Sequence, residues 1–144
     1  GIRLEGVSGT QYMFHDPCHS PMKQHNPIAT AKTLLGAEVK LSERCCGESG
    51  SFAAARPDIA TQVRFRKAEE IQRVAGELRG EGGGPIKLLT SCPSCLQGLS
   101  RYEAEAGVEA DYLVIEMARH RFGQAWMQGF IERANRGGIE RVLL

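Results

Sequence analysis

The sequence predicts an α/β domain: a mainly parallel sheet with helices on both faces, three layers in a Rossmann-like plan, with cysteines at the carboxyl ends of the strands. Two observations predict it. Strand-like and helix-like segments alternate along the 144 residues, and each group of cysteines falls in turn-forming sequence just after a strand-like segment. In open parallel sheets ligands gather beyond the carboxyl ends of the strands, so three groups far apart in sequence are expected at one edge.

The elements follow in order. Tyr12-Met13-Phe14 is an apolar run stopped by Asp16-Pro17, the pattern of a buried strand closed by a turn. Asn26-Pro27 pairs a capping residue with proline at the first helical position, and Ile28, Ala31, Leu34 and Leu35 keep helical spacing until Gly36. Val39 and Leu41 alternate with polar residues as a second strand would, and lead to Cys45-Cys46. After Gly47 to Ser51, Pro57-Asp58 opens a long amphipathic helix with Ile59, Val63, Ala68, Ile71, Ala75 and Leu78 on one face. Arg64, Arg66, Lys67, Glu69, Glu70 and Arg73 are expected on its solvated face, with Glu69 paired to Arg73. Gly80 and Gly82-Gly83-Gly84-Pro85 end it, and Ile86 to Thr90 reads as a third strand. A helix from about Ser94 to Ala106, a fourth strand around Tyr112-Leu113-Val114, and a last helix striped by Phe122, Trp126 and Phe130 complete the chain.

Composition bounds the function. Hydrophobic residues make up 42% and charged residues 24%, ordinary for a single globular domain, and 18 Lys plus Arg against 17 Asp plus Glu give a net charge of +1. So balanced a charge argues against nucleic acid or anionic lipid as a partner. No apolar run approaches the roughly 20 residues of a membrane span, and the amino terminus lacks a signal-peptide layout, so an intracellular, soluble chain is expected. The opening Gly1-Ile2-Arg3, without an initiator Met, points to a fragment of something longer.

The chemistry lies in five cysteines, an odd number that disulfides within one molecule cannot all satisfy. Clustered thiols in a reducing compartment are more often metal-binding or catalytic than paired. Cys92 and Cys95, one helical turn apart, can face one metal or each other, and a helix N-terminus is expected to lower their pKa toward the thiolate that binds metal. Adjacent strand residues point to opposite faces, so Cys45 and Cys46 share a site only in an irregular loop, which Gly47 and Gly50 make feasible. Two vicinal sulfurs suit a cluster of several metal atoms better than one tetrahedral ion. Five thiolates exceed the four of a structural zinc or an ordinary cubane; the surplus is an extra ligand, a substrate-facing thiol, or unused. His15 and His19 flank Cys18 and are further candidates, as a metal ligand or a hydrogen-bond donor to sulfur, against the alternative of polar loop residues. His25 and His120 read as surface or local packing residues, Asp16 as a turn residue, and Glu48 and Arg44 as charges beside the cysteine pair.

His15-Asp16-Pro17-Cys18-His19, then Cys45-Cys46-Gly47-Glu48-Ser49-Gly50, then Cys92-Pro93-Ser94-Cys95, over roughly Tyr12 to Arg119, resembles the cysteine-rich CCG domain. That domain occurs in the B subunit of heterodisulfide reductase, the iron-sulfur subunit of glycolate oxidase, and lactate-utilisation and glycerol-3-phosphate dehydrogenase proteins. The double cysteine with its glycine is the specific part. The resemblance implies cluster ligands at Cys18, Cys45, Cys46, Cys92 and Cys95 and an iron-sulfur cluster of the [4Fe-4S] kind, which in heterodisulfide reductase is non-cubane. Relative to the family the gap from Cys18 to Cys45 is short, that from Cys46 to Cys92 is long with Gly82-Gly83-Gly84 as the insertion, and one motif set stands where two are usual.

Residues 1–144 are accordingly expected to be a single CCG domain, excised from an FAD-linked oxidoreductase. The resemblance implies a flavin-binding dehydrogenase, in an adjacent domain or a separate partner chain, oxidising a 2-hydroxy acid of the glycolate or lactate type. FAD itself is expected elsewhere, because no glycine pattern for a dinucleotide follows a strand here. The expected location is the cytoplasm, free or peripheral at the inner face of the membrane. Two competing readings are a zinc-binding assembly module and a metal-free thiol-disulfide domain built on Cys92 and Cys95.

Overall fold

A computed structural model describes residues 9–48 and 50–137; Ser49 of the glycine-rich loop lies outside the described residues. Four strands, β1 (Gln11–His15), β2 (Val39–Leu41), β3 (Ile86–Thr90) and β4 (Glu109–Tyr112), form one sheet in the order β2-β1-β3-β4. Every neighbouring pair is parallel. Seven α-helices are described: α1 (Pro27–Leu35), α2 (Phe52–Ala55), α3 (Pro57–Glu81), α4 (Pro93–Leu99), α5 (Glu103–Ala106), α6 (Leu113–Phe122) and α7 (Trp126–Gly137).

The period-2 alternation of β1 and β3 divides the core into two layers. Met13, Ile86 and Leu88 pack with Ile71, Val74, Ala75 and Leu78 of α3 and with Leu99 of α4. Tyr12, Phe14 and Leu89 pack on the opposite face with Ala31 and Leu35 of α1 and Leu113 of α6. This is the expected three-layer arrangement. The chain moves from β1 outward to β2, then returns across the sheet to β3, so the strand order reverses between β1 and β3. A crevice opens at such a reversal because the flanking connections leave on opposite faces.

The first helix begins and ends where the sequence places it. The Asn26 side chain accepts the Ala29 N–H at 2.9 Å, and Gly36 closes the helix in a left-handed conformation. Four expectations are corrected. The helix over 94–106 is divided into α4, a 3-10 turn at Ser100–Tyr102, and α5; the Ser100 hydroxyl donates back to the Leu96 carbonyl, a bond that bends helices. The fourth strand ends at Tyr112, and Leu113 and Val114 open α6: β4 is a polar edge strand, so the apolar run marks the helix that follows it. The last helix is two helices, because Gly123 at φ 88° breaks the helical path between Phe122 and Trp126.

The fourth correction concerns α3. Lys67 is 0% and Glu70 5% exposed, so neither lies on a solvated face, and Arg73 pairs with Glu77 at 2.5 Å rather than with Glu69. Counting back four from Ile71 and Val74 reaches Lys67 and Glu70, which therefore continue the apolar stripe toward the sheet.

Candidate metal centre

All three cysteine groups leave the same end of the sheet. Cys18 follows β1, Cys45 and Cys46 follow β2, and Cys92 follows β3 and precedes the first turn of α4, which carries Cys95. They meet in one cavity of about 210 Å³ lined by all five cysteines together with Pro17, His19, Glu48, Gly50 and Ser94. Cys18 and Cys45 are exposed, Cys92 is half-buried, and Cys46 and Cys95 are buried. The Cys46 and Cys95 sulfurs lie 3.3 Å apart at the floor, where both residues also belong to the core beneath α3.

The Cys45-Cys46 loop is irregular, as two neighbouring thiols at one site require. Gly47 has φ +76°, and a Cβ there would sit 3.3 Å from Val63 Cγ1, so both conformation and space favour glycine. The Gly47 N–H donates to Cys45 Sγ at 3.4 Å. Glu48, next in the loop, is gripped by Arg64 at 2.9 Å and by Arg101. Its side chain crosses Gly98 of α4, where a Cβ would meet Glu48 Cγ at 2.5 Å. Glu48 is thus the latch of the loop, whereas Arg44 is exposed.

The thiols differ electrostatically. For Cys92 burial favours the neutral form, but hydrogen bonds from the Cys95 and Ser94 backbone and the Cys95 thiol outweigh it and hold the pKa below its usual value. Cys95 departs from the sequence expectation: burial, reinforced by the Cys46 sulfur, pushes it well above an ordinary thiol despite its place in the first turn of α4. Cys18 is raised by burial and by the neighbouring Cys45 thiol. Several thiolates crowded at such a site need a cation among them to stay ionised together.

Behind the floor lies a polar group of which the sequence revealed only His15. His15, at the end of β1, is 2% exposed, and one of its ring nitrogens lies with the Cys46 and Cys95 sulfurs within 4.8 Å of one another. Lys67 Nζ donates to Ser42 Oγ at 2.6 Å and Glu70 Oε2 at 2.8 Å, and lies 3.4 Å from His15 Nδ1. Glu70 also accepts the Ser42 hydroxyl and the Glu43 N–H, each at 3.0 Å. Burial and the Lys67 ammonium push His15 down to about 4, so its imidazole is neutral at pH 7. The signal in the sequence was two charged residues on the apolar stripe of a helix.

The other flagged residues divide. His19 lines the cavity, and Asp16 accepts the Ser20 hydroxyl at 2.6 Å in the turn expected of it. His25 is exposed, and His120 packs locally between the Tyr12 hydroxyl at 3.2 Å and Glu116 at 3.3 Å. Among the described residues no helix is long and apolar enough to cross a membrane.

The donor set fits a thiophilic metal group. Soft thiolates select zinc, copper(I) and iron-sulfur clusters. Three of the four buried polar side-chain atoms without a partner among the described residues, His15 Nε2, Thr90 Oγ1 and Ser91 Oγ, lie at the carboxyl ends of β1 and β3.

A thiol-lined cavity at the strand-order reversal of a parallel sheet defines a cysteine-rich α/β domain. The chain belongs to the CCG cysteine-rich domain family, whose model matches residues 12–100. A second model, a domain of unknown function (DUF3400), matches residues 100–144. Among curated proteins the chain is similar to an uncharacterized iron-sulfur protein of Methanococcus maripaludis, 26% identical over 72% of this chain and 21% of that protein. It is also similar to one of the subunits of the CoM/CoB fumarate reductase of Methanothermobacter marburgensis, at 26% identity over 65% of this chain and 18% of that one. A third relative is one of the subunits of the dihydromethanophenazine:CoB–CoM heterodisulfide reductase of Methanosarcina acetivorans, at 24% identity over 82% of this chain and 29% of that one. The chain therefore spans less than a third of the length of these relatives. No solved structure matches it.

Proposed function

We propose that Cys18, Cys45, Cys46, Cys92 and Cys95 hold an iron-sulfur cluster, of the [4Fe-4S] kind, and that the domain carries electrons within a larger oxidoreductase. The observation that carries this reading is the convergence of five thiols from three separate stretches of the chain on one cavity of about 210 Å³. A single tetrahedral ion uses four donors and no vicinal pair. The relatives support it through their names, an iron-sulfur protein and two reductase subunits.

A bound cluster supplies one-electron chemistry at a potential set by its charge, hydrogen bonds and exposure. The chain's own residues supply the rest. Cys46 and Cys95 close the floor against the apolar core, Glu48 pins the loop bearing the vicinal pair, and exposed Cys18 and Cys45 leave the mouth accessible to a donor or acceptor. The 2-hydroxy-acid reading, with a flavin-binding dehydrogenase of the glycolate or lactate type as donor, belongs to this proposal, as do the cytoplasmic location and residues 1–144 as one domain of a longer chain.

Anaerobic purification, reconstitution, iron and sulfide analysis, and EPR of the oxidised and reduced forms test it. Iron and sulfide in equal amounts with a paramagnetic state are expected. Stoichiometric zinc in a colourless protein, or no metal after reconstitution, overturns it. The metal-free disulfide reading is less well supported, because a Cys92–Cys95 pair leaves Cys18, Cys45 and Cys46, which line the same cavity, without a role.

A further inference from the structure

We propose that His15 serves the site as an N–H donor aimed at the Cys46 and Cys95 sulfurs rather than as a metal ligand, and that buried Lys67 fixes it in that role. The first half of this assignment concerns the protein alone; its effect on redox potential rests on the cluster proposed above.

His15 Nδ1 has two neighbours making opposite demands. The Ser42 carbonyl, 3.3 Å away, can only accept, and would need the proton on Nδ1. Lys67 Nζ, 3.4 Å away, can only donate while charged, and needs the Nδ1 lone pair. Both cannot be satisfied by a neutral ring, which carries one proton.

The ammonium prevails on magnitude. Lys67 is 0% exposed, and two of its three N–H groups are taken by Ser42 Oγ and Glu70. Turning the third against a protonated Nδ1 would leave a charged donor unpaired, which costs more than leaving a neutral carbonyl with a lone pair unused. Glu70, within 2.8 Å, opposes the loss of the Lys67 proton that burial favours. The ring proton therefore sits on Nε2. With Nδ1 turned to Lys67 and Ser42, the buried Nε2, which has no partner within hydrogen-bond reach, is the ring nitrogen left for the Cys46 and Cys95 sulfurs, which lie within 4.8 Å of a nitrogen of the ring. A protonated Nε2 has no lone pair for a metal, and an N–H directed at ligand sulfur favours the more reduced state and raises the potential.

The test uses the full-length protein with ¹⁵N-histidine. In metal-free or zinc-loaded protein, NMR is expected to place the His15 proton on Nε2, and the Lys67→Met/Glu70→Gln variant is expected to move it to Nδ1. A native Nδ1 proton, or a tautomer unmoved by the double variant, overturns the assignment. These readouts need no iron, so they decide it even if the cluster proposal fails. In the iron-loaded protein, pulsed EPR is expected to show only weak nitrogen coupling from His15. His15→Leu should lower the midpoint potential, and His15→Gln, whose amide N–H can take the place of Nε2–H, should restore it. Strong coupling of a directly bound nitrogen, or equal potentials in native and His15→Leu proteins, overturns it.

Discussion

His15 sits where a strand end, a buried ammonium and two buried thiols converge, and its surroundings make a pH prediction. An imidazole titrates near 6.5 in the unfolded chain but near 4 in the folded one, mainly through burial and then through Lys67. The unfolded chain takes up this proton first as the pH falls. Stability from the neutral ring is thus complete above about pH 6.5 and lost progressively toward pH 4, at roughly 1.4 kcal/mol per unit and about 3 kcal/mol in all. Urea melts of the metal-free protein at pH 7 and pH 4.5 should differ by about that amount more in the native chain than in His15→Gln. The same residue shows what sequence reading reaches. His15 is conspicuous beside Cys18, but its partner Lys67 is far away on α3 and looks like one more charge in a charged helix. The spacing of four already puts Lys67 on the face of Ile71; only the tertiary fold shows that this face stays turned to the sheet as far as Lys67.

Among the elements, α4 and the Cys45 to Gly50 loop are fitted to each other at Gly98. Gly98→Ala gains about 1 kcal/mol of helix propensity, but its methyl would lie 2.5 Å from Glu48 Cγ and must displace that side chain from Arg64 and Arg101. Overpacking of this kind costs about 1–3 kcal/mol. The expected outcome is a metal-free thermal midpoint at or a few degrees below that of the metal-free native protein, with a reduced iron content after reconstitution. A native iron content would show that Glu48 does not hold the loop. Element boundaries were legible where local chemistry sets them: Asn26 and Gly36 mark both ends of α1 within the sequence itself. They were not legible where burial sets them. β4 is the sequence Glu-Ala-Asp-Tyr, with no apolar signal, because as an edge strand it is only half covered. The division of 94–106 depends on a single hydroxyl bonding backward, and that of the last helix on Gly123.

For the molecule as a whole, the alternation of strand and helix predicted the parallel sheet, and the sheet placed the cysteines. Cys18, Cys45-Cys46 and Cys92/Cys95 could be grouped from sequence because each follows a strand, while the depth of Cys46 and Cys95 against the exposure of Cys18 and Cys45 could not. The cavity is also a junction: three passages of the chain, separated by the spans from Cys18 to Cys45 and from Cys46 to Cys92, come together at five sulfurs. A group bonded to all of them is a cross-link, and in the unfolded chain it would close two loops of some tens of residues. Each closure removes about 3–4 kcal/mol of chain entropy from the unfolded state, in the manner of a disulfide. Chelation under reducing conditions should therefore lower the thermal midpoint by about 10 °C or more, whereas the same chelator should leave a Cys45→Ser/Cys46→Ser variant unchanged. The redox centre would then be the fastening of its own domain, so oxidative damage to the cluster would weaken the fold as well as stop the flow of electrons.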